Sequence, residues 1–292
     1  MNFNVYSDLI NKTLDNAPDF GGDASDTVGQ AMRYSLSAGG KRVRPLLTLL
    51  FCEACGGKKE AALFPALAIE YIHTYSLIHD DLPCMDNDDF RRGKLSCHKQ
   101  FGESTALLAG DALLTFSFEK VARGFEKGDY DAETAVKIIS VLCRSAGFKG
   151  MICGQAVDLS NEGKSPDYNT LKKMDLLKTG ELMKAACVSG CLVANAQNNL
   201  IDAASAFGEK IGLAFQIQDD ILDVTSDFSI LGKLTGSDEH KNKLTYVKLL
   251  GLDECRRYAD TLTEEALGLL YAFPHKREEL SHIALALAKR EK

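Results

Sequence analysis

At 292 residues the chain is long enough for one large core or two smaller ones. Its 34 Lys and Arg against 41 Asp and Glu leave a net charge of −7, the wrong sign for a protein that works by neutralising nucleic-acid phosphates. An apolar share of 45% excludes wholesale disorder, and no apolar run approaches the roughly 18 residues of a membrane span.

The long segments carry helical rather than alternating periodicity, and only six prolines interrupt them. In chain order the predicted helices are Leu63 to His79, Ala106 to Phe125, Ala132 to Ser145, Met174 to Ala196, Ala203 to Leu222 and Asp253 to Ala272, followed by a short amphipathic one from Leu280 to Arg290. Turn signals separate them at Gly39-Gly40, Gly56-Gly57, Glu126 to Tyr130, Asn161 to Asp167, Asn198-Asn199, Ser226 to Glu239 and Phe273-Pro274. No alternating Val, Ile and Thr segment argues for a sheet, and neither a compositional break nor a repeat divides the chain. The expectation is a single all-α domain over residues 1–292 with about ten or more helices.

Nine cysteines are an odd number in a chain too large to need staples, so a disulfide framework is not expected. Cys52 and Cys55 form the one CxxC pair, with no second pair at zinc-finger spacing. Cys187 and Cys191, four apart, read as small helix-packing residues. The cysteines are expected to be reduced and mostly buried, and the amino-terminal MNFNVYSDLI lacks the pattern of a secretory signal. A cytoplasmic location follows.

Two acidic clusters end apolar helical stretches. HDDLPCMDNDDF holds Asp80, Asp81, Asp86, Asp88 and Asp89, and FQIQDDILDV holds Asp219, Asp220 and Asp223. Asp219 and Asp223 are i,i+4, about 40° apart around a helix and about 6 Å apart along it, so both can reach one cation. Asp80 and Asp86 would diverge by about 120° on a regular helix. Pro83 should end that helix, letting Asp86 fold back toward Asp80. Oxygen-only ligation without a His or Cys cluster suits Mg²⁺ shared with substrate phosphates. Either cluster alone is as well explained by a helix cap or a solvated acidic turn; two of them, each behind an apolar helix, favour metal binding. Two basic groups accompany them: Gly39-Gly40-Lys41-Arg42-Val43-Arg44-Pro45 and Arg91-Arg92-Gly93-Lys94. Glycines let a backbone approach an anion, and paired arginine forks match diphosphate oxygens. His73 lies two helical turns before Asp80 and should share its face.

Taken in order, GGKRVRP, HTYSLIHDDLPCMDNDDFRRG, FGE, LAGDALL, GQAVDL, KTGEL, FQIQDDILDV and GKLTGSD followed by KLTYVKLLG resemble the short-chain trans-prenyltransferases, and among these the bacterial farnesyl diphosphate synthases (geranyltranstransferases). The resemblance runs from about Met32 to Gly251. It implies an isoprenoid-synthase-type helical bundle around a central cavity, with the two aspartate clusters facing each other across its mouth. Asp80, Asp81 and Asp86 would hold two Mg²⁺, and Asp219, with Asp220 and Asp223 nearby, a third. Arg91, Lys178 and Lys233 would help bind the dimethylallyl or geranyl diphosphate. Gly40, Lys41, Arg44, His73 and Arg92 would bind isopentenyl diphosphate. Thr179 and Gln216 match positions whose oxygens face the allylic carbocation. The departing diphosphate is expected to take the final proton, so His79 and His98 need no catalytic role. A homodimer is implied as well.

Tyr75 lies five residues, about 7.5 Å, below Asp80. An aromatic there, with two extra residues in the first aspartate motif, resembles the farnesyl-forming pattern, and the resemblance implies that Tyr75, with Ser76, closes the cavity floor and sets a fifteen-carbon product. Leu95 and Ser96 stand where the family usually has Pro and Thr, and Val247 where Pro is common. The nearest alternative is a geranylgeranyl diphosphate synthase. A terpene cyclase would have no second diphosphate to bind, and a silent prenyltransferase subunit would typically lack aspartates from one cluster.

Overall fold

The computed structural model describes residues 4–15, 26–161, 163–164, 167–225 and 245–289. The fold is all-α, 79% helical, and the one sheet among the described residues is a hairpin of two-residue strands. Two compact units are present, residues 1–49 with 58–139 and residues 50–57 with 140–292. No described helix is long and apolar enough to cross a membrane.

The first unit opens with α1 (Asn4–Asp15), where Tyr6, Ile10 and Leu14 recur every four residues as the buried stripe. In α2 (Thr27–Leu36) the Asp26 side chain caps the start by accepting from the Val28 N–H at 3.1 Å. Helix α3 (Val43–Ala54) contributes its residues up to Leu49 to this unit. Helix α4 (Leu63–Asp80) carries Pro65 in its first turn, where a missing N–H costs nothing, and is buried without a break from Pro65 to Ile72. Strands β1 (Phe90–Arg91) and β2 (Lys94–Leu95), α5 (Cys97–Phe101) and α6 (Glu103–Lys127) complete it, with α4, α2 and α5 packed on α6. Gly110 of α6 makes the α4 contact possible: a Cβ there would lie 2.1 Å from the His79 ring.

Helix α7 (Ala132–Ala146) enters the second unit at Ser140. There follow α8 (Met151–Asn161), α9 (Tyr168–Asp175), a π turn (Leu176–Gly180), α10 (Glu181–Val193), α11 (Asn198–Thr225), α12 (Tyr246–Leu250), α13 (Leu252–Leu269) and α14 (Arg277–Ala288). Helix α11 packs against α10, α13, α14 and the π turn. Its stripe Leu213, Ile217 and Ile221 is buried with Leu171, Tyr246, Ala259 and Leu262. Asp219 and Asp223 come two residues after stripe positions, about 200° round the helix, which keeps their carboxylates out of that core. A second cluster joins Phe51 edge-on to Phe207 and Phe273, ring centres 5.2 Å apart in both pairs.

The expected helices are present with three differences. The helix expected over Met174 to Ala196 is interrupted by the π turn. Asn198-Asn199, expected as a turn, is the first turn of α11, because asparagine serves helix starts as readily as turns. The β-hairpin was not expected; its two-residue strands are too short to show alternation.

Candidate active site

Helix α4 stops at Asp80, with Asp81 as its cap residue, and Pro83 follows in the turn. The chain then folds back as the spacing predicts: the Asp86 N–H donates to the Asp80 carbonyl at 2.9 Å. Asn87 takes a left-handed backbone, φ 52°, and leads into the hairpin. The hairpin's two-residue loop is Arg92-Gly93, with φ of 54° and 76°, the positive angles that suit the twist of a tight hairpin. Arg91 and Arg92 are thereby separated in role. Arg91 points back to Asp81, its Nε 3.0 and 3.2 Å from the two carboxylate oxygens, and also reaches Asp88 at 3.4 Å. Asp81 is 2% exposed, and burial pushes its carboxyl up despite the arginine. Arg92 turns the other way and donates to the Gly39 carbonyl.

Gly40 shows why the basic loop needs glycine. Its φ is +125°, and a Cβ would lie 2.6 Å from the Arg92 guanidinium carbon. Two residues on, Arg42 is a structural arginine: buried, it donates to Glu70 at 2.5 Å, to the Leu36 carbonyl at 2.5 Å and to Asn11 at 3.2 Å. Glu70 thus answers Arg42. Burial and the repulsion of Arg92 lower the Arg44 pKa to about 10, against the pull of Glu70, and its Nε is buried without a hydrogen bond. His73 is held well below its usual range by burial and then by Arg44, Arg92, Arg42 and Arg91, which keeps the imidazole neutral. Lys41 is exposed beside them in sequence. Four arginines act on one histidine, and the buried carboxylates Glu70 and Asp81 answer two of them, Arg42 and Arg91; such a gathering of cations suits an anion of multiple charge.

Tyr75 is 6% exposed, edge-on to His79 with ring centres 5.7 Å apart. Its hydroxyl is buried without a hydrogen-bond partner, and burial with the nearby Asp80 pushes its pKa up to about 12. Ser76, partly exposed, donates to the His73 carbonyl at 2.9 Å. His79 lies 3.1 Å from the Leu107 carbonyl, and His98 is buried 3.1 Å from Ser96 Oγ; both have structural contacts.

In the second unit the π turn carries Lys178 and Thr179. A π turn widens the helix by one residue and commonly marks a functional position. Two glycines let helices reach it: a Cβ at Gly154 of α8 would lie 2.4 Å from the Lys178 nitrogen, and one at Gly212 of α11 would lie 2.9 Å from Gly180 Cα. Lys178 donates to Asp158 at 2.7 Å, and Thr179 is buried. Gln216 and Asp219 are one turn apart on α11, both partly exposed. Asp220 is committed differently: its Oδ2 accepts the Tyr246 N–H at 2.7 Å and so holds the start of α12. Lys233 lies outside the described residues.

Sequence reasoning missed Asp158 and Asp175. Asp158 sits in GQAVDL one turn after Gln155, whose amide nitrogen is buried without a partner, and that i,i+3 polar pair in an apolar helix was the available signal. Asp175 is buried beside the Tyr246 hydroxyl, which has no hydrogen bond of normal geometry; burial and Asp158 raise the carboxyl to about 7 against Tyr246 and Lys178.

The first unit places carboxylates at the end of an apolar helix with a cluster of arginines, and the second places a lysine on a π turn packed against α11; each set is of the residue types that suit phosphorylated substrates. The family model for polyprenyl synthetase matches residues 25–282. The chain belongs to the polyprenyl synthetase family and is a prenyltransferase. It is similar to the farnesyl diphosphate synthase of Micrococcus luteus, 42% identical over 98% of this chain and 96% of that protein. It is also similar to the chloroplastic heterodimeric geranylgeranyl pyrophosphate synthase large subunit 1 of Arabidopsis thaliana, 44% identical over 91% of this chain and 72% of that one. Among solved structures, the geranyltransferase of Helicobacter pylori complexed with magnesium and isoprenyl diphosphate superposes with a TM-score of 0.84 at 36% identity, covering 98% of this chain and 94% of that one.

Proposed function

We propose that the protein joins isopentenyl diphosphate to dimethylallyl and then geranyl diphosphate, head to tail (1'-4), giving farnesyl diphosphate and free diphosphate. The observation that supports this reading is the gathering of Arg44 and Arg92 about buried His73, in the unit where Asp86 folds back on Asp80. We read these cations as a second diphosphate site, which a cyclase would not require.

The donor set suits a hard cation: oxygen carboxylates, with Asp86 folded back on Asp80 and Asp219 one turn from Asp223. Asp80 and Asp86, and Asp219 and Asp223, are the residues that would hold Mg²⁺, with about three ions expected from the family resemblance. Asp81 stands with them in sequence and orients Arg91; Asp220 holds α12. Bound Mg²⁺ supplies neutralising charge for the diphosphate leaving group. Lys178 and Arg91 bind that allylic diphosphate, and Lys233 is proposed to join them. Lys41, Arg44, His73 and Arg92, at the Gly40 turn, bind isopentenyl diphosphate.

In the reaction the allylic C1–O bond breaks, the isopentenyl C4 forms the new bond to C1, and a proton from C2 leaves to the released diphosphate. Buried Thr179 and partly exposed Gln216 offer oxygens toward the cationic carbon. Tyr75, with Ser76 beside it, bounds the growing chain at fifteen carbons. Both compact units belong to one catalytic domain in this reading, supported by a family match that runs through the two. A homodimer and a cytoplasmic location complete it.

Geranylgeranyl diphosphate formation is the second reading, favoured by the 44% identity to a geranylgeranyl synthase. Incubation with dimethylallyl diphosphate, isopentenyl diphosphate and Mg²⁺, followed by dephosphorylation and chain-length measurement, separates them. A fifteen-carbon alcohol is expected. A twenty-carbon product replaces the farnesyl assignment with the second reading, and absence of condensation overturns the activity.

A further inference from the structure

The end of α3 and the last turns of α10 bring two thiols together. Cys55, in the turn after α3, and Cys191, within α10, have their sulfurs 3.5 Å apart although 136 residues separate them in sequence. Both belong to the second unit. Cys191 is fully buried, whereas Cys55 is partly exposed and followed by Gly56, with φ 84°. Cys55 lies one residue past α3, its N–H still donating to the Phe51 carbonyl at 3.2 Å, and a sulfur–sulfur bond requires only a further roughly 1.5 Å of approach from the two side chains and this turn.

We propose that Cys55 and Cys191 are a modification site for low-molecular-weight disulfides, with Cys55 the attacking thiol and Cys191 the resolving one. The Cys55 thiolate attacks one sulfur of an oxidised glutathione-type disulfide, forming a Cys55 mixed disulfide and releasing one thiol. Cys191, deprotonating, attacks the Cys55 sulfur and expels the second thiol. Two protein thiols and one small disulfide thus become one protein disulfide and two small thiols. The asymmetry of the pair fits the roles. The contact with Cys191 lowers the Cys55 pKa against burial, while the contact with Cys55 and burial hold Cys191 well above its usual range. Of the pair, only Cys55 is open to an incoming disulfide, and its adduct is formed next to the thiol placed to displace it.

The test titrates the intact protein with oxidised glutathione, quenches with an alkylating reagent and maps peptides by mass spectrometry. The wild type should yield a Cys55–Cys191 linked peptide, fully reversed by dithiothreitol, while exposed Cys84 and Cys143 carry single glutathione adducts. Cys191→Ser should halt at glutathione on Cys55, and Cys55→Ser should leave Cys191 a free thiol. If Cys191→Ser does not fold, the wild-type map decides alone. A fully oxidised wild type without the linked peptide overturns the proposal, as does a stable Cys55 adduct with Cys191 intact or modification of Cys191 in Cys55→Ser.

Discussion

The guanidinium of Arg91 closes on the buried carboxylate of Asp81, with Nε 3.0 and 3.2 Å from its two oxygens. The pair joins the end of α4 to the hairpin and holds Arg91 beside the acidic turn. Asp81→Asn weakens that hold and leaves Arg91 without its buried counter-charge, so a stability loss of about 3 kcal/mol is expected. Denaturant unfolding measures it, and turnover should fall in parallel. An unchanged midpoint would remove the pair from any structural role.

Asp80→Ala and Asp219→Ala each delete a carboxylate proposed to hold Mg²⁺. Turnover should drop by roughly two orders of magnitude or more in each, with helicity by circular dichroism unchanged. Full activity in both variants would refute the ion assignment.

Gly40→Ala places a methyl 2.6 Å from the Arg92 guanidinium carbon at a backbone φ of +125°. Arg92 must move, so the KM for isopentenyl diphosphate should rise by about tenfold while kcat changes by less than about twofold. Steady-state kinetics with each substrate varied separately checks this. A rise confined to the allylic substrate would move Arg92 to the other diphosphate.

Asp175 keeps its proton in the folded state up to about pH 7, because burial and Asp158 outweigh Lys178 and the Tyr246 phenol. Unfolded, it releases that proton near pH 4. Between these values the folded chain binds more protons, so this contribution to stability is full below about pH 4, is lost as pH rises through about 7, and stays lost above it. Asp175→Asn should remove this component. Thermal unfolding at pH 5 and pH 8 compares the two proteins, and equal pH dependence in both would contradict the assignment.

Tyr75→Ala removes an aromatic that is 6% exposed, with a cost of about 3 kcal/mol expected. If Tyr75 limits chain length, the variant should make products beyond those of the wild type in the same incubation. An unchanged product would place the limit elsewhere.

The helix end at Asp80 and the return of Asp86 were legible in the sequence, because proline's missing N–H and its effect on Leu82 are local constraints. The i,i+4 spacing of Asp219 and Asp223 was legible for the same reason, since helical geometry depends only on residue number. The division of labour among like residues was not. Arg42 and Arg44 are indistinguishable in GGKRVRP until folding brings Glu70 against the first. Asp219 and Asp220 are adjacent equals until the Tyr246 amide arrives from 26 residues away. The same holds for Lys178 and Asp158, whose pairing depends on Gly154 admitting α8 to the π turn, and for Cys55 and Cys191. By itself the sequence determined the helical class, the family and the acidic and basic chemistry, since periodicity, caps and ordered motifs act over a few residues. Which carboxylate orients an arginine, which arginine is spent on the core and which thiols meet were decided by tertiary packing, because those energies depend on partners that only the folded chain brings within hydrogen-bond distance.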